Sequence, residues 1–350
     1  MSDFLKTFIK ESGNPFASVV DDGLEGSDVS AYVDTGCYIL NGLVSGDIYN
    51  GLPDNKIVAL AGEQATGKTY IAMGMIFKFL KDNPEAVVLY FDSEQAVTSE
   101  MFRSRGIDPK RIAVFPVSTV EEFRRQAVTI VDKYLEMPAD KRKKTMMVLD
   151  SLGMLSTSKE MNDTAEGKEV RDMTRSQVIK STFRVLTVKL GVAHIPMIFT
   201  NHTYDVIGSY VPMKEMGGGA GLKYAASIII YLSKKKDKNA DGEVVGNIIH
   251  CRLNKGRFTK ENKMVDVRLN YETGLDPYYG LIDLAVEHGI LKKTAGRVEL
   301  LDGSKIFEKQ MYESPKKYFT EELLNKINVA ANKEFCYGST KDEKNTGDSE

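Results

Sequence analysis

Residues 56–69 read KIVALAGEQATGKT, and this stretch decides the fold. Residues 57–61 form a short apolar run, which is typical of a strand buried in a parallel sheet. The pattern G-x-x-x-x-G-K-T follows at residues 62–69, and an apolar helical pattern continues over residues 70–80. A strand, a glycine-containing loop and a helix, in this order, are the context that a phosphate-binding loop requires. The stretch therefore predicts a site for a nucleoside triphosphate.

The groups of this loop have distinct expected tasks. Its glycines allow backbone N–H groups to turn toward phosphate oxygens, and the helix N-terminus adds partial positive charge. Lys68 is expected to reach the β- and γ-phosphates, and the Thr69 hydroxyl is expected to ligate Mg²⁺. The alternative is a glycine turn followed by a chance lysine. The residues expected to contact the nucleotide are Gly62, Glu63, Gln64, Ala65, Thr66, Gly67, Lys68, Thr69 and Tyr70.

The composition is that of an ordinary globular enzyme. The 350 residues carry a formal net charge of −2, and 27% of them are charged. Any nucleic-acid site must therefore be local, because the overall charge argues neither for nor against one. The three cysteines are far apart and lack metal-ligand spacing, which favours reduced thiols in a cytoplasmic protein. No signal peptide or membrane-spanning stretch is evident, so we expect no membrane association.

An alternating pattern of strands and helices follows the loop. Four apolar runs predict further buried strands, at residues 86–92, 111–117, 145–150 and 197–202. Helical patterns occupy residues 98–105 and 120–135. Strands that alternate with helices predict an α/β fold with a doubly wound, mostly parallel sheet. In such sheets, ligands bind beyond the carboxyl ends of the strands.

Polar residues follow three of these strands at the ends where a ligand would bind: Glu94, Asp150, Asn201 and His202. Asp150 ends an apolar strand, and we expect it to hold Mg²⁺ beside the loop. Three of these residues have an ordinary alternative. Glu94 would be an acid at a helix N-terminus, Asp150 a turn cap and His202 a hydrogen-bonded core histidine. Their joint placement favours a functional site.

Two polar segments, at residues 153–175 and 203–219, follow strands at the same edge. A long insertion without regular structure at the ligand end of a sheet is usually functional or disordered. In the first segment, a helix would present Arg171 and Arg175 one turn apart to successive phosphates. In the second, exposed tyrosines would stack on single-stranded bases, and a helix opened by glycines would bind a phosphate. The alternative is a pair of ordinary surface loops. The DNA-binding candidates are Arg171, Arg175, Lys180, Tyr204, Tyr210, Lys214, Gly217, Gly218 and Gly219.

Seven strings, in the same order, resemble the RecA family of recombinases and in particular its UvsX-type members from tailed phages. They are GEQATGKT, LYFDSE, VLDSLG, RDMTRSQ, TNHTY, MGGGAGLKYAAS and LDPYYGLIDLA. Many ATPases share the first string, whereas the combination of the last three is far more specific. The resemblance covers about residues 35–291. It implies a RecA-like ATPase core that uses ATP and Mg²⁺.

The resemblance also implies roles for single residues. Glu94 resembles the carboxylate that polarises the attacking water. His202 resembles the polar residue that senses the γ-phosphate and passes the signal into the following loop. Lys255 and Arg257 resemble cations that reach the γ-phosphate of the adjacent subunit, with a solvated hairpin turn as the alternative. The chain departs from the family where an aromatic residue stacks on adenine, because Met101 takes that place.

Residues 153–171 and 203–218 resemble the two DNA-binding loops of the family, whereas its polymerisation segment is only weakly matched, at residues 14–20. The apolar face of a first helix, formed by Phe4, Leu5, Phe8 and Ile9, would dock on its own core or on a neighbouring subunit. The expected domains are an oligomerisation segment and linker at 1–34, the ATPase core at 35–272, a small C-terminal α/β module at 273–340 and a disordered tail at 341–350.

Together these features predict a DNA-dependent ATPase of recombination and repair. By its resemblance to the RecA family, it would coat single-stranded DNA as a helical filament, pair it with homologous duplex DNA and exchange strands. Expected partners are both forms of DNA, further copies of the chain, and loading and single-strand-binding proteins. The expected location is the cytoplasm, that of the host if the source is a phage. The alternatives are a ring-forming motor such as a DNA helicase, and a small-molecule kinase.

Overall fold

A computed structural model describes residues 2–13, 17–24, 26–168, 173–205, 214–218 and 220–338. The strands in these ranges are β1 (Tyr32–Val33), β2 (Leu52–Pro53), β3 (Ile57–Gly62), β4 (Val87–Asp92), β5 (Ile112–Pro116), β6 (Thr145–Asp150), β7 (Met197–Asp205), β8 (Lys214–Met216), β9 (Ile228–Lys238), β10 (Val244–Gly256), β11 (Met264–Asn270), β12 (Gly274–Leu275), β13 (Lys292–Thr294), β14 (Arg297–Glu299) and β15 (Lys305–Phe307). The helices are α1 (Ser2–Ser12), α2 (Tyr38–Ser45), α3 (Lys68–Asp82), α4 (Ser99–Arg103), α5 (Val120–Glu136), α6 (Ser158–Ala165), α7 (Arg175–Ala193), α8 (Ala220–Ala225), α9 (Leu281–Glu287), α10 (Glu308–Glu313), α11 (Pro315–Tyr318) and α12 (Glu321–Phe335).

The main sheet has the order β12-β11-β10-β9-β3-β7-β6-β4-β5. The strands from β9 to β5 in this order run parallel, and β10, β11 and β12 extend the sheet with antiparallel pairs. The predicted α/β fold with a mostly parallel sheet is confirmed. Every residue of β3 and of β6 is buried, because helices cover both faces of the sheet.

Two apolar clusters hold the helices against the sheet. One cluster packs α2, α3, α9 and α12 against one face, with Leu40, Ile71 and Leu323 among its members. The other packs α5 and α7 against the opposite face through residues such as Phe123 and Phe183. Both faces of β3 are thereby buried, which fixes the position of the loop that follows it.

Threonine side chains cap the starts of four described helices, α4, α5, α6 and α12. The Thr119 side chain accepts a hydrogen bond from the Glu122 amide at the start of α5, and Glu121 and Glu122 occupy the first turn. The first polar segment contains a short helix that its apolar pattern did not indicate, because residues 158–165 form α6. Thr157 and Glu160 make a reciprocal capping box there, which starts a helix that has no buried residue.

The N-terminal helix and the linker behave differently. Most of the apolar face of α1 is open in the described part of the chain, because Phe4 is 67% and Phe8 is 56% exposed. Residues 26–28 of the linker are instead hydrogen-bonded to Asn55 and Lys56, just before β3. Asn55 Nδ2 donates to the carbonyl oxygens of Gly26 and Asp28, and Lys56 Nζ donates to that of Ser27 at 2.8 Å. The weakly matched segment at 14–20 lies partly outside the described residues.

The C-terminal part forms an antiparallel sheet, β13-β14-β15, with α10, α11 and α12. Helix α12 shares the apolar cluster of α2: a Cβ at Gly42 would lie 3.4 Å from atoms of Ala331 and Phe335. The domain boundary at residue 273 stays a prediction, and the tail at 341–350 lies outside the described residues. None of the described helices is long and apolar enough to span a membrane.

Candidate nucleotide site

The predicted phosphate-binding loop connects β3 to α3. Gly67 precedes the helix with φ 92°, a left-handed conformation that favours glycine, and a Cβ there would lie 2.8 Å from Ile249 Cδ1. Lys68 is 7% exposed, and its Nζ donates to the carbonyl oxygens of Gly62 at 3.0 Å and Glu63 at 2.7 Å. The ammonium group therefore lies at the mouth of the loop, where phosphate oxygens can replace these carbonyls.

Burial lowers the pKa of Lys68, and the nearby carboxylates of Asp150 and Glu94 oppose this effect. The Lys68 ammonium group is therefore partly desolvated and lies near the carboxylates of Asp150 and Glu94. An added phosphate would be attracted to the same ammonium group, because Coulomb interactions are stronger away from bulk water.

Asp150 lies at the end of β6 and is 6% exposed. Its Oδ2 accepts hydrogen bonds from the Thr69 hydroxyl at 2.7 Å and from the Tyr90 hydroxyl at 2.8 Å. Its Oδ1 accepts one from the Thr200 hydroxyl. Burial, followed by the charge of Asp150, raises the pKa of Tyr90 well above its usual range, so Tyr90 remains a donor.

Glu94 and His202 come together in front of the loop. The Ser151 hydroxyl donates to Glu94 Oε1 at 2.8 Å, and His202 Nε2 lies 3.6 Å from the same oxygen. Asp92 Oδ1 accepts from the amides of Glu94 and Gln95 and thereby shapes the turn that carries Glu94. The Glu94 side chain is 36% exposed, so a water molecule can approach it.

These groups surround one cavity of about 300 Å³. Its lining residues are Gln64, Ala65, Thr66, Gly67, Lys68, Thr69, Tyr70, Met73, Glu94, Met101, Arg105, Asp150, His202 and Leu269. Two predicted contacts are not among them. Gly62 contributes its carbonyl oxygen to Lys68, and the Glu63 carboxylate forms an ion pair with Lys214.

The residues present fit a magnesium ion that arrives with a nucleotide. A hydroxyl oxygen of Thr69 and a carboxylate oxygen of Asp150 lie side by side at the cavity. Mg²⁺ usually takes one or two carboxylates and completes its coordination with phosphates and water. Within the described ranges, no group of three His, Cys, Asp or Glu residues could hold a metal ion.

A profile of the RecA N-terminal domain family matches residues 9–276. The chain belongs to the RecA family. It is 32% identical over 255 residues to the recombination and repair protein of Enterobacteria phage T4, which covers 73% of this chain and 63% of the phage protein. It thus spans less than two thirds of that relative. It is 23% identical over 291 residues to protein RecA of Malacoplasma penetrans, covering 83% of this chain and 84% of that one.

In this RecA-family chain, Lys255 and Arg257 lie far from the phosphate-binding loop. Lys255 pairs with Ile229 of β9, which pairs with Ala59 of β3, and Lys255 Nζ donates to the carbonyl oxygens of Lys223 and Ala226. Arg257 lines a second cavity, of about 520 Å³.

The residues that share this second cavity include Lys56 and Ile57, at the amino end of β3. The loop starts at Gly62, at the carboxyl end of the same strand, roughly 17 Å away at about 3.3 Å per residue. Neither Lys255 nor Arg257 contacts the nucleotide cavity of its own chain.

The structure gives several DNA-binding candidates of this RecA-family chain other partners. The Arg175 guanidinium donates to the carbonyl oxygens of Gly153 and Leu155, so here it braces the first segment. The Gly217 N–H donates to the His202 carbonyl oxygen at 3.1 Å. The DNA contacts themselves stay predictions.

Three other candidates are open to solvent or lie near the loop. Tyr204 is 60% exposed, Lys180 is exposed on α7, and Lys214 pairs with Glu63. Gly218, two residues after β8, has a φ of 99°, a left-handed conformation that favours glycine. Arg171, Tyr210 and Gly219 lie outside the described residues.

Sequence reasoning missed Tyr90, Ser151, Thr200 and Arg105 at this site. The first three converge on Asp150 and Glu94 from neighbouring strands, and only the strand order shows this. Arg105 lies over the Tyr70 ring at 4.8 Å and donates to the Met101 carbonyl oxygen at 2.8 Å. This trio forms one wall of the cavity, at the place where the sequence departs from its family.

Proposed function

We propose that this protein is a recombinase: an ATPase that assembles on single-stranded DNA as a helical filament, pairs it with homologous duplex DNA and exchanges strands. Membership of the RecA family supports this function, as does the likeness to a phage recombination and repair protein. The observation that carries the proposal is the separation of two cations. Lys68 lies beyond the carboxyl end of β3, whereas Arg257 lies beside its amino end.

Nucleotide chemistry follows from the cavity. Lys68 releases the loop carbonyls and binds the β- and γ-phosphates of ATP. Thr69 and Asp150 would hold Mg²⁺, which would neutralise phosphate charge. Glu94 orients and polarises the attacking water, and His202, next to Glu94, contacts the γ-phosphate.

This site is incomplete in one chain because Lys255 and Arg257 do not line it. In a head-to-tail assembly, the amino end of β3 in one copy faces the loop of the next. Lys255 and Arg257 then reach the γ-phosphate of the adjacent copy. A cation supplied in this way raises hydrolysis by about 10³–10⁵-fold in related phosphoryl transfers. Hydrolysis therefore depends on assembly, as a filament requires.

The DNA path lies at the carboxyl edge of the sheet. Lys180 and Lys214 would neutralise phosphates, and Tyr204 would stack on bases, with the segments at 153–175 and 203–219 forming the loops. Asn201 supplies a link between DNA and nucleotide. Its Nδ2 donates to the Gly217 carbonyl at 2.8 Å, and its Oδ1 accepts from the His202 amide.

The remaining parts extend this function. Residues 1–34 would join neighbouring copies, since the apolar face of α1 is exposed, and residues 273–340 would form an accessory module. Loading proteins and single-strand-binding proteins would act with the filament. The protein would work in the cytoplasm, that of the host for a phage.

The deciding experiment is ATP hydrolysis with and without single-stranded DNA, combined with electron microscopy of the complexes. We expect strong stimulation by DNA and extended filaments. DNA-independent turnover would contradict the proposal and favour a kinase, and closed rings that unwind duplexes would favour a helicase. No observation on the described residues favours either alternative.

A further inference from the structure

The Asp150 carboxylate is held from three sides. Thr69 donates from the start of α3, Tyr90 from β4 and Thr200 from β7. Strand β6, which carries Asp150, lies between β4 and β7 in the sheet. Two of the three donors, Thr69 and Tyr90, share the same oxygen, Oδ2.

Tyr90 contributes only its hydroxyl to this arrangement. The side chain is fully buried and its ring packs edge-on against Phe102, at 5.8 Å between ring centres. A phenylalanine would fill the same space with the same ring. The hydroxyl oxygen lies in the interior, where an unpaired polar group is costly, and Asp150 is the partner that satisfies it.

We propose that Tyr90 is a positioning residue for the metal site. Its hydroxyl holds Asp150 Oδ2 in a position where the Thr69 hydroxyl donates to it, and the lone pairs of the Thr69 oxygen then face the cavity. The inference rests on the proposed use of ATP with Mg²⁺. It assigns to Tyr90 an effect on metal affinity rather than on phosphate binding, because the Lys68 contacts do not involve it.

Tyr90 can affect the metal site because its hydroxyl and that of Thr69 donate to the same oxygen, Asp150 Oδ2. A hydroxyl has one proton, so when Thr69 donates to Asp150 its oxygen is left as a metal ligand with a fixed direction. Without Tyr90, the carboxylate can rotate away from Thr69 and take other hydrogen bonds. Groups that orient metal ligands in this manner typically change metal affinity by about 10–100-fold.

The test is Tyr90→Phe, with nucleotide binding rather than turnover as the readout. A fluorescent ADP analogue is titrated with the full-length protein in Mg²⁺ and in EDTA, without DNA. We expect unchanged affinity in EDTA and a Mg²⁺ half-saturation raised by about 10–100-fold. Tyr134→Phe is the matched control, because its hydroxyl also makes one hydrogen bond, at 3.1 Å to the Lys143 carbonyl, far from the cavity.

A second variant tests whether Tyr90 acts through Asp150. In an Asp150→Asn background, Tyr90→Phe should change the Mg²⁺ dependence no further, since residues that act through a shared group are not additive. An equal loss of affinity in EDTA and in Mg²⁺, an unchanged Mg²⁺ dependence, or loss of the fold judged by circular dichroism would each overturn the inference. Failure of the wild type to bind nucleotide at all would instead overturn the proposed function.

Discussion

His202 Nε2 lies 3.6 Å from Glu94 Oε1, so the residue that precedes the second polar segment lies next to the carboxylate expected to act on water. The distance exceeds that of a hydrogen bond, and both side chains remain partly exposed. A small movement of β7 can therefore make or break this contact. Under the proposed function, this contact would be the route by which DNA binding affects hydrolysis.

Glu94→Gln should separate binding from hydrolysis. The amide keeps the shape of the side chain and still accepts from Ser151, but it is a poor base for the attacking water. We expect hydrolysis to fall by about 10²–10⁴-fold while ATP and DNA binding persist. Phosphate release and DNA binding measured on the same samples check this. Glu100→Gln, on exposed α4, is the control, and hydrolysis at the wild-type rate in Glu94→Gln would contradict the role.

His202→Asn should weaken the coupling between binding of single-stranded DNA and hydrolysis of ATP. The variant keeps a polar group but removes the contact with Glu94. We expect basal ATP turnover to persist and the stimulation by single-stranded DNA to shrink about tenfold, within the usual range of coupling between sites. The control is His250→Asn, because His250 pairs with Asp266 on β11, away from the cavity. Full stimulation in His202→Asn would rule out this route.

Mixing two inactive variants should restore activity if Arg257 acts on the neighbouring copy. Lys68→Ala lacks a working loop, and Arg257→Ala lacks the cation. A 1:1 mixture, combined before DNA is added, would contain intact composite sites at about one quarter of all junctions in a head-to-tail row. ATP turnover is the measurement. A mixture no more active than the variants alone would mean that both residues serve the same chain or that Arg257 is a surface residue.

Lys180→Ala should weaken single-strand binding in a salt-dependent way. Lys180 is exposed on α7, so its loss removes one expected phosphate contact. The slope of log affinity against log salt should fall by about 0.7. Fluorescence anisotropy with a labelled oligonucleotide at several salt concentrations measures it. Lys326→Ala removes the same charge from α12 and should leave the slope unchanged, and an equal change in both variants would move the DNA path elsewhere.

Glu334→Gln tests a contact that holds α12. Burial alone would raise the pKa of Glu334, but Lys263 and His288 outweigh it, and the pKa lies below its usual value. A lowered pKa in the folded state stabilises the protein above the unfolded pKa, near 4.3, and this contribution is lost as the pH falls through the folded pKa. We expect the variant to lose about 1 kcal/mol or less at pH 7, because the pair is partly exposed.

The measurement for Glu334→Gln is urea unfolding at neutral pH and again below the folded pKa, where the two proteins should be equally stable. Glu322→Gln serves as the comparison, since Glu322 and Lys326 form an exposed pair one helical turn apart. A difference between wild type and Glu334→Gln that persists in acid would show that the side chain acts by packing.

The sequence predicts the core of this protein well for a physical reason. Parallel strands that are buried on both faces appear as unbroken apolar runs, and β3 and β6 were found where those runs lie. Of the four polar residues predicted at the ends of β4, β6 and β7, all but Asn201 line the same cavity, because parallel strands end at one edge. Asp150, Glu94 and His202 accordingly line one cavity.

Two kinds of feature were harder to predict from the sequence: contacts that depend on the order of strands in the sheet, and helices that bury no apolar face. Helix α6 has a capping box but no buried residue, so its apolar periodicity is absent. Tyr90 and Thr200 meet at Asp150 only because β4 and β7 flank β6. Arg175 could not be assigned to backbone carbonyls, since nothing in its spacing shows which loop returns to α7.

The opposite placement of the loop and Arg257 along β3 has a consequence for any row of copies. Such a row has a direction, and its two termini are unlike. If Arg257 acts on the neighbouring copy, as proposed, the nucleotide pocket at one terminus has no neighbour, and Arg257 at the other terminus meets no nucleotide. ATP in the uncapped pocket would be hydrolysed slowly for want of a cation, so that terminal copy would be retained longer. Addition and loss of subunits would then differ between the termini, and the polarity of the DNA strand would decide which way the row extends.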